Sequence, residues 1–141
     1  MVAPERIVLL TQHLRRYVAN LKRVRGSPAL ASLIGPEDAQ ALLERHLERA
    51  IECALDIAAH VVVSEALGPA NTRADNFLRM ARAGLIDMET AERLRLLAHY
   101  RNIIVHMYAE VTETKLYEQL QAAPEPLERF SASVMKLLDQ K

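Results

Sequence analysis

The chain has 141 residues, the size of one domain, and half of them are hydrophobic, enough for a real core. Its formal net charge is zero, which excludes a uniformly basic nucleic-acid coat but leaves room for a local basic patch. Four glycines, no tryptophan and 4% aromatic residues suit a helical core of Leu, Ile, Val, Ala and Met and argue against a turn-rich β-fold.

Pro4 opens a segment over 4–25 in which Ile7, Leu10, Leu14, Val18 and Leu21 recur at helical spacing. Gly26-Ser27-Pro28 ends it, and 26–36 reads as a connection with a short turn of helix over 29–33. Pro36 at a first-turn position, followed by Glu37 and Asp38, starts a long helix. Nothing breaks that pattern before Leu67, which gives roughly 46 Å of helix at about 1.5 Å per residue. Gly68-Pro69 stops it. A third, shorter helix is expected over 71–83, capped by Asn71 or Thr72 and ended by Gly84. A fourth is expected over 87–109, with Asp87 as its cap and Glu89 in its first turn. A fifth over 112–122 and a last over 126–139 are separated by Pro124 and Pro126. "VVV" at 61–63 has local strand propensity, but no strand is expected. The expectation is one all-α domain spanning 1–141, an antiparallel helical bundle of about five to six helices with short loops.

Some chemistry is excluded early. The single cysteine, Cys53, rules out an internal disulfide and reads as a small hydrophobe within an apolar stretch. No Cys/His cluster has zinc-site spacing, and neither a metal nor a cofactor is expected. The start, MVAPERIVLL, carries an early acidic residue and no long apolar run, so it does not read as a signal peptide. No apolar run approaches the roughly 20 residues that span a bilayer, and a cytoplasmic protein is expected.

"HYRNIIVHMY" at 99–108 gathers an arginine, an asparagine, histidines and tyrosines inside an amphipathic helix. A helical wheel over 96–111 puts Leu96, Leu97, Tyr100, Ile103, Ile104, Met107 and Val111 on the core face. Arg101, Asn102, His106 and Tyr108 project away from that stripe, with Ala98 and Val105 among them. One reading is a solvated face. The two apolar residues suit a covered surface better. An arginine can hold a phosphate and stabilise charge building on it. A histidine can take or give a proton near neutral pH. Arg101 and His106 lie about 140° apart on a regular helix, so they converge only if Arg101 curls round or if two copies of the helix pair. The second option makes a homodimer through this helix an expectation from geometry.

Arg101-x4-His106-x-Tyr108, within "YRNIIVHMY", resembles the signature of the HEPN superfamily and of its HepT-like toxin branch. "AIECALDIAAHVV" at 50–62 resembles the long-helix segment of these proteins, and "NFLRMARAGLID" at 76–87 the stretch before the motif helix. The resemblance implies an all-α fold dimerising through the motif helix. It implies a metal-independent endoribonuclease whose RNA substrate is attacked by its own 2′-hydroxyl, leaving a 2′,3′-cyclic phosphate and a 5′-hydroxyl. It implies that His106 is general acid or base, that Arg101 binds the scissile phosphate, and that Asn102 orients the phosphate or the histidine. It also implies a minimal nucleotidyltransferase (MNT) antitoxin as partner, which transfers AMP onto Tyr108. Bulk and negative charge would then sit beside Arg101 and repel RNA.

Further candidates carry two readings each. Asp56 and His60, four apart on the long helix, either orient a catalytic group and line the cleft or form a structural hydrogen bond. His99 is a candidate for lining the cleft; His13 and His46 read as surface residues. Glu44, Glu48 and Glu52, with Arg45 and Arg49 alongside, lack the Glu-x-x-His pairs of di-iron bundles and read as a solvated or inter-helix salt-bridge face. Arg15, Arg16, Lys22, Arg23 and Arg25 make the first helix basic, for RNA phosphates, for an acidic partner or for solvation. The alternative to a ribonuclease toxin is a non-catalytic helical module that binds a nucleotide or substrate for a nucleotidyltransferase.

Overall fold

The computed structural model describes residues 4–25, 27–106, 118 and 121–140. Among these are six helices and no strand. They are α1 (Pro4–Arg25), α2 (Pro28–Ile34), α3 (Pro36–Ser64), α4 (Asn76–Arg82), α5 (Met88–His106) and α6 (Pro124–Asp139). Most of the helix expected over 112–122, and the end of the one expected at 109, lie outside the described residues.

The stripe read from α1 is its buried face: Ile7, Leu10, Leu14, Val18 and Leu21, joined by Thr11 and Val24. Thr11 is tolerated inside because its hydroxyl donates to the Ile7 carbonyl at 2.7 Å. That face lies on α3 and α6. Tyr17 meets Arg49 of α3, while Arg15 reaches Met135 and Lys22 reaches Glu128 of α6. Rising α1 numbers against falling α6 numbers make that pair antiparallel. Leu47, Ala50, Ile51, Ala54, Ile57, Ala58 and Val61 carry α3 through the centre of the core. Val61 and Val62 are buried within this helix, so packing overrides the strand propensity of "VVV". The two phenylalanines of the chain, Phe77 and Phe130, meet edge to face with centroids 5.4 Å apart and join α4 to α6.

The ends of the helices show where local signals govern. α5 is capped by Asp87: Oδ1 accepts from the Thr90 amide at 2.7 Å and Oδ2 from the Thr90 hydroxyl at 2.9 Å. α4 ends on Gly84, at φ +78°, with Leu85 N donating to Met80 O and Gly84 N to Ala81 O. α3 stops three residues before the expected Leu67. Ala66 takes the left-handed position at φ +53°, and Leu67 N and Ala66 N close onto Val62 O and Val63 O. α4 is shorter than the expected 71–83. Thr72 Oγ1 accepts from Asp75 N, and the amides of Asp75, Asn76 and Phe77 reach back three residues rather than four. α6 starts at Pro124, two residues earlier than expected, with a proline in its first turn.

No helix among the described residues is long and apolar enough to cross a membrane.

Candidate active site

The wheel over 96–111 is right for Leu97 and Tyr100, which are buried, and wrong for Leu96 and Ala98. Thr90, Ala91, Leu94, Leu97 and Ala98 are buried, whereas Leu96 is 57% exposed. Arg101 stands seven residues after Leu94, so it continues the buried stripe instead of projecting away from it. The small Ala91 and Ala98 let the N-terminal half of α5 approach its neighbours closely. The bulkier apolar residues further along the sequence had pulled the wheel to another side.

Arg101 is therefore half-buried, its side chain 21% exposed, and its guanidinium meets α3. Nη2 lies 3.5 Å from Glu52 Oε2, an ion pair beyond good hydrogen-bond geometry. Nη1 donates to Asn102 Oδ1 at 3.2 Å. Nε is buried with no partner. A guanidinium has five N–H donors in a fixed fork, so this one retains donors for an incoming anion.

Glu52 also holds Arg73, whose Nη1 is 2.9 Å from Oε1, and Arg73 Nη2 binds Asp56 Oδ1. Asp56, Arg73, Glu52 and Arg101 thus form one chain of charges from the 72–75 turn across α3 to α5. Pairs this exposed contribute little stability, about 0–1 kcal/mol each. Their effect is to fix where the guanidiniums point.

Beside this chain, an open groove of about 630 Å³ lies between α3, the 72–75 turn and α5. Leu55 and Ala98 line it with Arg73, Arg95, His99, Arg101 and Asn102. Arg95 is tied to Asp75, with Nη2 3.1 Å from Oδ1. The groove can offer guanidinium donors and an imidazole to a phosphate-bearing ligand.

The candidate residues separate as follows. Arg101, Asn102 and His99 line the groove together. Asp56 pairs with Arg73 and makes no bond with His60, because Arg73 supplies the stronger cationic partner. His106 is described by its backbone alone, at the end of α5, and Tyr108 lies outside the described residues. His46 is half-buried instead of on the surface; burial, then Arg23 and Arg49, lower its pKa. The acidic row of Glu52 reads in the sequence as a solvated or inter-helix salt-bridge face, and its pairs with Arg73 and Arg101 bear out the second reading. Which arginines it meets was not legible, because contacts between residues this far apart in sequence leave no local signal. Arg95 and Asp75 were missed for the same reason.

Residues 14–134 match the ribonuclease HepT-like family, and the chain belongs to that family. The mRNA nuclease HepT of Shewanella oneidensis is 31% identical over 85 residues, which cover 60% of this chain and 64% of that protein. The chain thus spans somewhat less than two thirds of the curated relative it matches. A tri-AMPylated HEPN toxin of the same organism, solved in complex with an MNT antitoxin, superposes with a TM-score of 0.82 at 24% identity, covering 96% of this chain and 99% of that one. A cytosolic protein of unknown function from Bacillus subtilis, YutE, superposes at 0.83 with 18% identity, covering 99% and 92%. At these identities the two structures show the same fold.

Proposed function

We propose that this chain is the toxin of a toxin–antitoxin pair, an endoribonuclease of the cytoplasm that an MNT nucleotidyltransferase neutralises. What carries the reading is the family match over residues 14–134, which contains the whole Arg101-x4-His106-x-Tyr108 motif, together with an Arg101 that lines an open groove. The named relatives, an mRNA nuclease and an AMPylated toxin held by an MNT antitoxin, support it.

In this reading the RNA 2′-oxygen attacks the adjacent phosphorus and loses its proton to a base. The bond from phosphorus to the 5′-oxygen breaks, and the leaving oxygen takes a proton from an acid. The products are a 2′,3′-cyclic phosphate and a 5′-hydroxyl. His106 serves as acid or base, Arg101 neutralises the negative charge growing on the phosphate oxygens, and Asn102 holds Arg101 and the phosphate in register. No step calls for a metal ion. Two copies of the chain pair through the motif helix and share the cleft. The exposed Leu96 on α5 is an apolar group suited to that pairing. AMP attached to Tyr108 places negative charge where the substrate phosphate must bind, which accounts for neutralisation.

Expression of the chain alone is expected to arrest bacterial growth, with relief on co-expression of the MNT partner and no arrest by His106→Ala at equal protein level. Equal arrest by His106→Ala would overturn the assignment.

A further inference from the structure

We propose that Arg16 and Arg49, which flank Tyr17 where α1 meets α3, together with Arg23 further along α1, form a second anion-binding surface that holds the backbone of single-stranded RNA outside the cleavage groove. This surface rests on the ribonuclease reading and deepens it.

Among the described residues six arginines pair with carboxylates: Arg45 with Glu48, Arg73 with Glu52 and Asp56, Arg93 and Arg129 with Glu125, Arg95 with Asp75, and Arg101 with Glu52. Arg23 donates to the neutral Asn20 Oδ1 at 3.4 Å. Among the described residues, no carboxylate lies within ion-pair distance of Arg16, Arg23 or Arg49. In a chain of zero net charge, this is a local excess of positive charge.

The guanidinium carbons of Arg16 and Arg49 lie 5.8 and 5.9 Å from the centroid of the Tyr17 ring. Tyr17 is half-buried and packed against the core. A ring fixed in this way attracts and orients both guanidiniums and leaves their N–H edges outward. Two arginines so restrained lose less side-chain entropy on meeting a phosphate than two free ones. Arg23 lies further along the same face, near His46, whose Nδ1 is buried with no partner.

Arg49 precedes Glu52 by three residues on α3, a rise of about 4.5 Å, and Glu52 is the anchor of Arg101. Cys53 feels the charges of Arg16 and Arg49 as well as those of Glu52 and Asp56, so the two clusters are close neighbours. A strand lying in the Arg101 groove therefore needs only a short run of nucleotides to reach the Tyr17 cluster. An acidic protein would also be attracted to three arginines. The regular anionic backbone of RNA leading out of a groove on the same helix fits their placement better.

The test measures RNA binding apart from cleavage. A labelled single-stranded oligoribonucleotide is titrated by fluorescence anisotropy against the full chain carrying His106→Ala, with and without R16Q/R49Q, at several salt concentrations. R16Q/R49Q is expected to weaken binding on the order of tenfold at about 0.15 M salt and to lower the salt slope by about 1.4, two contacts at about 0.7 each. R16K/R49K keeps the charges and is expected to keep the slope, which separates a lost contact from a lost fold. Unchanged affinity and slope in R16Q/R49Q, or no binding by the parent, would overturn the proposal. So would loss of the MNT partner by R16Q/R49Q with RNA affinity intact. The ribonuclease reading fails differently, by absence of cleavage in the chain with His106 intact.

Discussion

Glu52 on α3 faces Arg101 on α5, with Oε2 and Nη2 3.5 Å apart, and the same carboxylate holds Arg73 through its other oxygen. One carboxylate thus positions two guanidiniums on neighbouring elements, at the edge of the groove that Arg101 lines.

Glu52→Gln keeps the size of the side chain and removes its charge. Arg101, a long side chain with about 2 kcal/mol of rotamer entropy, then loses its fixed direction. RNA cleavage is expected to fall on the order of tenfold or more, mostly in kcat, since the orientation of a charge-stabilising group matters most in the transition state. Single-turnover kinetics check this. An unchanged rate would show that Glu52 does not position Arg101.

Asp87 gives a stability prediction with a pH signature. Its two hydrogen bonds from Thr90, backbone first, hold its carboxyl below the usual range. The unfolded state therefore binds the proton more tightly than the folded one. The contribution is present above the unfolded pKa of about 3.9 and is lost as pH falls through the lower folded value. Asp87→Ala is expected to cost about 1 kcal/mol at neutral pH as a lost N-cap. Asp87→Asn keeps the cap and should flatten the acid limb of the stability curve. Urea titrations from pH 7 to pH 3 measure both.

The Phe77–Phe130 contact joins α4 to α6, and both rings are fully buried. Phe130→Ala is expected to destabilise by about 3–5 kcal/mol through lost burial and the cavity left behind. That is a large part of the stability of a domain this size. Chemical denaturation checks it, and a loss below about 1 kcal/mol would mean that the core repacks around the gap.

Ala66→Gly should stabilise. Ala66 sits at φ +53°, where a β-carbon costs roughly 1 kcal/mol and glycine pays nothing. The greater freedom of glycine in the unfolded chain takes back part of that gain. A rise of a few degrees in Tm by calorimetry is expected, and a fall would contradict the strain.

The all-helical fold, the buried stripe of α1 and the Asp87 cap were legible in the sequence because each rests on local pattern or a single capping residue. The end of α3 was not, because Gly68 and Pro69 looked like the stop while the chain turned at Ala66, a residue that carries no turn signal. The start of α4 was not, because Thr72 and its neighbours build short turns in place of a helical first turn. In the site, the motif pointed to Arg101 and Asn102, but the wheel aimed Arg101 outward. Its true direction depends on Ala91 and Ala98 packing inward, and small residues weigh little in a hydrophobicity pattern. The pairing of Asp56 with Arg73 displaced the simpler i,i+4 pairing with His60 because Arg73 comes from another element.

Cleavage of RNA by the chain's own motif is what separates a toxin from a non-catalytic binding module. The direct measurement incubates purified protein, and separately its His106→Ala variant, with total RNA in EDTA, and types the new ends chemically. Cleavage by the parent alone is expected, leaving 2′,3′-cyclic phosphates and 5′-hydroxyls. No cleavage by a parent whose intact mass shows no AMP on Tyr108, or equal cleavage by both proteins, would contradict it.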